Sequence, residues 1–428
     1  MYAQIGIPVY TKLKNLSFAP EVDVTATSVP INELSVDIIT TDSIELGMLL
    51  ELYDDLDTLF ARYTIVYAEH SDPKTVKVRA RSDVAMLDAV TLPATLYETT
   101  APGVLTDIFG SVSASYSLDS SFQSVAVEGF CPEQTARERL AWLCLVLGAY
   151  VKSCFNTTIE ILPLDSTNTL IPLEKTFMRP KVNYLDYVIS LSANAYSFTQ
   201  GTPGTTDQWV EDDGGVTYIV HKTGAATLPD PGSVPEGAIG TSVKVADVML
   251  INSDNIDDVL SRLSGFYFTR VEVDVDCINN GDYVPGQQVT VYADRETLMA
   301  GVIQRATFCF GKQARSTLHI IGAALRPSAE LIVRYMYEDE QIGEASYRFP
   351  VGFWYSLPNP YLDLTHKRVR RIYRPLTEAA TGTMTAGTNT VEVDYAVALE
   401  LENGILTVIS VDEVELEVDG GEYVGVIA

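Results

Sequence analysis

Two short acidic clusters are the residues of this chain best suited to chemistry. They are Asp54, Asp55 and Asp57 in LELYDDLDTLFA (50–61), and Asp294 and Glu296 in VTVYADRETLMAG (289–301). Carboxylates one or two residues apart can share a proton in acid–base work or offer oxygens to a hard cation. They are equally at home in turns, where short acidic side chains bond nearby backbone N–H groups. The two stretches decide between these readings, because they are copies of one another. An offset of 239 aligns Tyr53 with Tyr292, Asp55 with Asp294, Thr58 with Thr297, Leu59 with Leu298 and Ala61 with Ala300, and sets Asp57 against Glu296 without a gap. An active site is more naturally unique, so Asp55, Asp57, Asp294 and Glu296 read as equivalent turn positions in a duplicated β unit.

Other catalytic patterns are missing. The four histidines, His70, His221, His319 and His366, show no HxxxH or HExxH spacing, and there is no P-loop, GxGxxG or GxSxG pattern. Asp274, Asp276, Asn280 and Asp282 resemble a calcium loop in composition, but Ile278 takes the place of the third ligand, and a hairpin turn is the simpler reading. The five cysteines, Cys131, Cys144, Cys154, Cys277 and Cys309, are odd in number and lack a repeated CxxC, so all five read as reduced, buried apolar side chains. No cofactor, metal site or enzymatic activity is expected.

Composition narrows the class. With 46% hydrophobic and 20% charged residues over 428 positions, the chain is an ordinary folded protein of more than one domain. Its formal net charge of −28 repels a phosphate backbone and argues against general nucleic-acid binding. The start, MYAQIGIPVYTKLKN, does not read as a secretory signal. The longest apolar run, 140–151, falls short of the roughly 20 residues that span a bilayer, so no stable membrane insertion is expected.

The elements that carry the acidic turns follow from periodicity. LSVDII, MLLELY, TLFARYTIVYAEH and TVKVRAR alternate as strands of a meander. Val36-Asp37 is echoed by Val273-Asp274, and TVKVRA from Thr75 by TLHIIG from Thr317. Residues 1–30 are expected to form an edge arm. Between the copies, helical spacing of Ala136, Leu140, Leu143, Cys144, Leu147 and Val151 predicts a core helix over 132–153, with Thr135 and Glu138 as a capping box. The strand TTIEILPL then completes an α+β unit. Ser253 or Asp254 is expected to cap a second helix, NIDDVLSRL. The Gly/Pro/Thr-rich segments 200–215 and 225–240 read as mobile or partner-facing loops. The expected division is 1–90, a β module with its arm; 91–180, the α+β insertion; 181–325, a loop-rich segment and the second β module; and 326–428, a C-terminal β extension.

That extension is aromatic and charge-segregated. Trp354, Tyr355 and Tyr361 stand among its aromatics, and HKRVRRIYR (366–374), including Arg368, Arg370 and Arg374, precedes a stretch with no Lys, Arg or His. The acidic run DEVELEVD (412–419) is expected to pair with this basic segment across a sheet. The aromatic and arginine residues mark a candidate partner interface, and sugar stacking by Trp354 is the alternative.

Two segments carry a family resemblance. TARERLAWLCLVLGAY (135–150) followed by TTIEILPL looks like the helix-then-strand unit of baseplate-hub and tail-tip hub proteins of tailed phages and prophages of Gram-positive bacteria. VMLINSDNIDDVLSRLSGFYFTRVEVDVD with GQQVTVYADRETLMAGVIQ is similar to that family's helix leading into its second barrel. The resemblance covers roughly residues 30 to 325 and stops before the C-terminal extension. It implies a mainly β fold with a small α+β insertion, two similar antiparallel β-barrel-like tube modules and a homotrimer whose modules form a pseudo-six-fold ring in the virion tail tip. Asp55, Asp57, Asp294 and Glu296 would then face the ring interface or lumen. Implied partners are a distal tail or tail-tube ring protein and a spike, tape-measure or tail-tip protein, with DNA only in transit and assembly in the host cytoplasm. A receptor- or carbohydrate-binding adhesin is the alternative function, resting on the C-terminal aromatics, and a wall hydrolase lacks a carboxylate pair that the sequence singles out.

Overall fold

The computed structural model describes residues 2–54, 57, 59–164, 167–177, 180–202, 208–212, 214–229, 240–269, 271–292, 298–309 and 315–325, and beyond these the backbone of the strands named below. Two compact units are present, one of Met1–Ala293 with Met299–Ala324 and one of Asp294–Leu298 with Leu325–Ala428.

The first unit begins with β1 (Tyr2–Ile5), β2 (Val9–Tyr10) and β3 (Leu13–Phe18), then the meander β4 (Glu33–Ile39), β5 (Leu49–Tyr53), β6 (Leu59–Asp72) and β7 (Thr75–Arg81). Alternation drives it: in β4, β5 and β7 every second residue is buried, so each strand turns one apolar row inward. The insertion follows as β8 (Thr91–Leu92), β9 (Thr95–Thr100), α1 (Ala101–Gly110), β10 (Tyr116–Leu118), β11 (Ala126–Cys131), β12 (Gln134–Thr135), α2 (Ala136–Leu147), β13 (Ala149–Lys152) and β14 (Ile159–Pro163). Next come β15 (Asn168–Leu170), β16 (Lys181–Tyr184), β17 (Tyr187–Gln200), β18 (Gln208–Glu211), β19 (Thr217–Pro229), β20 (Gly240–Lys244) and α3 (Ile256–Tyr267). The second meander is β21 (Val271–Ile278), β22 (Gln288–Tyr292), β23 (Leu298–Cys309) and β24 (Arg315–Leu325).

The duplication is visible in the pairing. The first copy runs β4-β7-β6-β5 and the second β21-β24-β23-β22. Each acquires two further strands in corresponding places: β3 beside β4 as β16 beside β21, and β1 beside β5 as β15 beside β22. Val36 faces Val78 as Val273 faces Ile320, and Lys14 faces Asp37 as Lys181 faces Asp274. The last added strand differs, since β1 is antiparallel to its neighbour and β15 parallel.

The copies are not gapless through the turn, as the sequence alignment had them. Gly47 N–H bonds Ile65 O at 2.8 Å and Ile65 N–H bonds Met48 O at 2.9 Å; the counterparts are Gly286 to Ile303 at 2.7 Å and Ile303 to Gln287 at 3.0 Å. Ile65 and Ile303 are therefore equivalent, one residue short of the 239 offset that holds for Gly47 and Gly286. The extra residue in the first copy is Phe60, bulged out of the β5–β6 ladder between the pairs Tyr53↔Leu59 and Leu52↔Ala61.

Both copies belong to one sheet of 13 strands. The segment after β3 lies antiparallel against β23: Phe18 pairs with Phe308, Ala306 N–H bonds Pro20 O at 3.0 Å, and Val22 N–H bonds Gln304 O at 2.9 Å. The expected N-terminal edge arm is thus only half an edge. β1 and β2 lie at one end of the sheet, whereas β3 is the seam between the copies. Among the described residues the sheet ends at β16 and β2 without closing on itself, so the barrel-like modules are open.

A separate core gathers α1, α2 and α3, with Val104, Leu105 and Ile108 from the first, Leu140, Leu143 and Cys144 from the second, and Val259, Leu260 and Leu263 from the third. The capping box at Thr135 and Glu138 is present. The helix it starts is shorter than the expected 132–153. Gly148, at φ +74°, closes α2 with its N–H on Cys144 O, and the next residues pair as β13. α1 was not foreseen; its opening Ala-Pro-Gly suits a first turn, where proline's missing N–H costs nothing. α3 starts after Asn255 rather than Ser253 or Asp254, without a side-chain cap bond, and runs on to Tyr267. Of the expected loops, 225–229 and 208–211 lie in strands, and 203–207, 213 and 230–239 fall outside the described residues.

In the second unit, β25 (Ile332–Ile342), β26 (Ala345–Ser356), β27 (Lys367–Val369), β28 (Gly382–Ala386), β29 (Asn389–Val393), β30 (Val397–Glu402), β31 (Ile405–Ser410), β32 (Val414–Asp419) and β33 (Glu422–Ile427) form two sheets. Their orders are β25-β26-β27-β33-β32 and β29-β28-β30-β31. The basic strand β27 and the acidic strand β32 are therefore not neighbours as expected, because β33 lies between them.

Candidate functional site

The first acidic turn is built from its neighbours in the sheet. Tyr2, from β1, stacks on Tyr53 with ring centroids 5.2 Å apart and donates its phenol to Asp57 Oδ1 at 3.0 Å. Asp57 itself sits at φ +60°, in the left-handed region that Asp tolerates better than most residues. Partial desolvation raises the Tyr2 phenol pKa, and the Asp57 carboxylate adds to the rise. Tyr53 behaves likewise, with desolvation first and then its bond to Glu51 Oε2 at 3.1 Å. Asp57 thus holds a turn together. Asp55, Asp294 and Glu296 lie outside the described residues.

The calcium-like acids of the second copy are directed at separate protein groups. Asp274 faces His319 across the strand pair, with Nδ1 at 2.8 Å from Oδ1, and accepts from Asn183 at 3.4 Å. Asp276 accepts from Thr317. Asp282 pairs with Lys175 at 3.1 Å, and this bond raises the Lys175 pKa. Buried Asn279 closes the turn between them, its Oδ1 accepting from Gly281 and Tyr283 N–H. Among the described residues no group of three or more His, Cys, Asp or Glu is placed to hold a metal ion.

Four of the cysteines are buried, and burial pushes Cys131, Cys144 and Cys154 up to about 12. Cys309 departs from the expectation: it stands exposed at the end of β23, beside the seam. In β26, Trp354 and Tyr355 are in register with Arg368 and Lys367 of β27, and Trp354 also with Arg334 of β25. Tyr361, Arg370 and Arg374 lie outside the described residues.

The feature that residue patterns missed is the aromatic seam. Phe18 is fully buried against Phe308 (centroids 5.2 Å), Phe60 (5.4 Å), Tyr63 (6.0 Å) and Phe155 (6.3 Å). These rings come from both meanders and from the start of the β13–β14 connection. No residue pattern announces it: that Lys14, four residues before Phe18, stands to Asp37 as Lys181 stands to Asp274 is a matter of strand register.

No known protein family's sequence profile matches the chain, and no curated protein matches it in sequence. Solved structures do match in fold. The tail protein from Neisseria meningitidis MC58 is 11% identical at a TM-score of 0.54, over 75% of this chain and 95% of its own length. The 43 kDa tail protein of prophage MuSo2 from Shewanella oneidensis is 10% identical at a TM-score of 0.51, over 74% of this chain and 97% of its own. At such identity the likeness is one of architecture: this chain has the fold of phage tail proteins.

Proposed function

We propose that the chain is a non-enzymatic structural hub of a phage tail tip or baseplate. In this reading three copies close a ring in which the two meanders of each chain alternate, joining the tail tube above to a spike, tape-measure or tip protein below. The observation that carries it is the duplicated module, with the same strand order and the same flanking strands in both copies. A module used twice per chain gives pseudo-six-fold symmetry in a three-fold assembly, and neighbouring modules cover each other's sheet edges. The net charge of −28 suits a conduit that repels DNA phosphates and lets the polymer pass. Asp55, Asp57, Asp294 and Glu296 belong to this ring or its lumen. Trp354, Tyr355, Tyr361, Arg368, Arg370 and Arg374 belong to a partner surface of the C-terminal unit. Native mass spectrometry of the full chain tests the reading: a trimer is expected, and a monomer that persists at high concentration overturns it.

A receptor-binding role is the second reading, favoured by the register row Arg334–Trp354–Arg368 across three strands. Glycan-array binding lost on Trp354→Ala would establish it in place of the hub.

A further inference from the structure

The same face of the duplicated meander is covered in one copy and bare in the other. In the second copy Tyr150 of β13 lies against Gly286, where an added Cβ would stand 2.3 Å from its ring, and Val302 is buried beside it with Ile321 packed against the same cluster. The equivalences of Gly47 with Gly286, Ile65 with Ile303 and Val78 with Ile320 make Gly47, Thr64 and Arg79 the corresponding positions of the first copy. There Gly47 is exposed, and beyond its chain neighbours none of the described residues comes within 4 Å of where its Cβ would be.

Composition runs against this difference in cover. Leu49, Val66 and Tyr67 stand where the second copy has Gln288, Gln304 and Arg305, so the bare copy carries the apolar side chains. All three are exposed, and Leu46, beside Gly47, is 64% exposed. Leu49 faces Thr64, two residues before Val66, while Val9 faces Gln4 and Gln4 faces Glu51, two residues after Leu49; Val9, Leu49 and Val66 therefore share one face of the sheet. The β1–β2 turn adds Ile7, 92% exposed, and abuts Met48, whose Cε would be 3.0 Å from a Cβ on Gly6. One cation borders the patch without an acid opposite it. Arg79 lies over the Tyr67 ring at 5.5 Å and has Ser35 and Tyr67 as its cross-strand partners, whereas Arg81 is paired with Glu33. Both arginines line a cavity of about 300 Å³ over β6 and β7, together with Val66 and Tyr67. A contiguous exposed apolar patch of this kind marks an interaction surface.

We infer that this outward face of β5 and β6, with the β1–β2 turn, is covered by a second copy of the chain, which sets an apolar side chain over Gly47 as Tyr150 is set over Gly286, and a carboxylate on Arg79. The sheet order identifies the occupant. The first meander is joined to the second at β3, and the patch begins beyond β4 and β7 and runs to β2, the last strand at that end among the described residues. In a closed ring, the end that the chain leaves unjoined is the one that meets the next chain. A copy of net charge −28 also has carboxylates to offer an unopposed guanidinium. The inference rests on the ring reading proposed above and names the surface through which its copies meet.

Thiol footprinting of the full chain separates the two. Leu46→Cys, Leu49→Cys and Val66→Cys are made singly, each with Cys309→Ser to remove the exposed native thiol, and are treated with a maleimide at a concentration where native mass shows the trimer and after dilution to the monomer. Each is expected to react several-fold more slowly in the trimer, while Lys222→Cys on β19 reacts alike in both. A trimer whose three patch cysteines stay as reactive as in the monomer overturns this surface, leaves it to a different protein and keeps the ring. A persistent monomer overturns both. As a second readout, Arg79→Glu is expected to raise the concentration at which the trimer forms while the melting transition of the monomer stays cooperative; a trimer as tight as the parent's counts against the surface.

Discussion

Phe18 and Phe308 are backbone partners and stacked rings at once, 5.2 Å between centroids at an interplanar angle of 28°. Nearly the whole meander and insertion separate them in sequence, yet their contact turns two similar sheets into one. Phe60 joins them edge-on at 5.1 Å from Phe308, and it reaches the seam because it is the residue bulged from the β5–β6 ladder. Phe18→Ala removes a ring with no solvent exposure and four aromatic neighbours, and is expected to cost about 3–5 kcal/mol, the range for aromatic truncation in a core. Phe18→Leu keeps most of the volume and should cost less than half of that. Urea unfolding of the three proteins measures the difference, and equal midpoints for Phe18→Ala and the parent would remove the seam's structural importance.

A second prediction concerns the end of α2. Arg262 of α3 donates to Leu145 O in the last turn of α2, where a cation complements the free carbonyls. Burial pushes its guanidinium down to about 10. Gly148 permits the approach twice over: it adopts φ +74°, and a Cβ there would stand 2.4 Å from Arg262 Nη1. Gly148→Ala carries the left-handed penalty of roughly 1–2 kcal/mol plus the displacement of the guanidinium. In an Arg262→Met background the displacement is gone, so the same substitution is expected to cost less. A double-mutant cycle by chemical denaturation reads this, and strict additivity would show that the two side chains do not interfere.

The buried thiols set a pH dependence. Cys131, Cys144 and Cys154 are raised from 9.0 to about 12, so the folded state keeps protons that the unfolded chain releases. Their contribution to stability is complete below pH 9 and is lost as pH rises towards 12. Arg262, lowered from 12.5 to about 10, acts in the opposite direction above pH 10, but burial also raises the Cys277 thiol and the Tyr63 phenol, so the groups that lose stability with rising pH outnumber it. Stability is therefore expected to fall above pH 9, and replacing the three cysteines with alanine should flatten that slope while lowering stability at neutral pH. In the folded parent, one thiol of the five, Cys309, is expected to react promptly with a maleimide, and the other four only after denaturation.

These features differ in how far residue patterns announce them. The duplication was legible because Tyr53, Thr58 and Leu59 recur in order, and the start of α2 because Thr135 and Glu138 satisfy each other's backbone groups. Its end was not, since Tyr150 and Val151 continue the apolar run on either helical or strand spacing, and only the conformation of Gly148 separates them. The role of residues 13–22 was illegible for a different reason. A strand's periodicity reports which face is buried, whereas the seam depends on which distant edge the strand meets. Charge misled in the C-terminal unit: opposite charge made β27 and β32 plausible neighbours, but a sheet order is set by all its strands, and β33 takes the place between them.

The acidic turn allows a last test, one that separates geometry from charge at the residue where both were in play. If Asp57 serves the turn, what matters is its tolerance of φ +60° and an oxygen that accepts the Tyr2 phenol at 3.0 Å. Asparagine supplies both without the charge. Asp57→Asn is then expected to stay within about 0.5 kcal/mol of the parent, the spread for harmless surface changes. Asp57→Val, β-branched at a left-handed position, should lose at least the roughly 1–2 kcal/mol of that conformation. Tyr2→Phe removes the other partner of the bond and should cost about 0.5–1.5 kcal/mol in the parent but nothing in Asp57→Val, where the bond is already gone. If Asp57→Asn proved as damaging as Asp57→Val, the negative charge itself would be required, and the turn geometry alone would not account for the acid at this position.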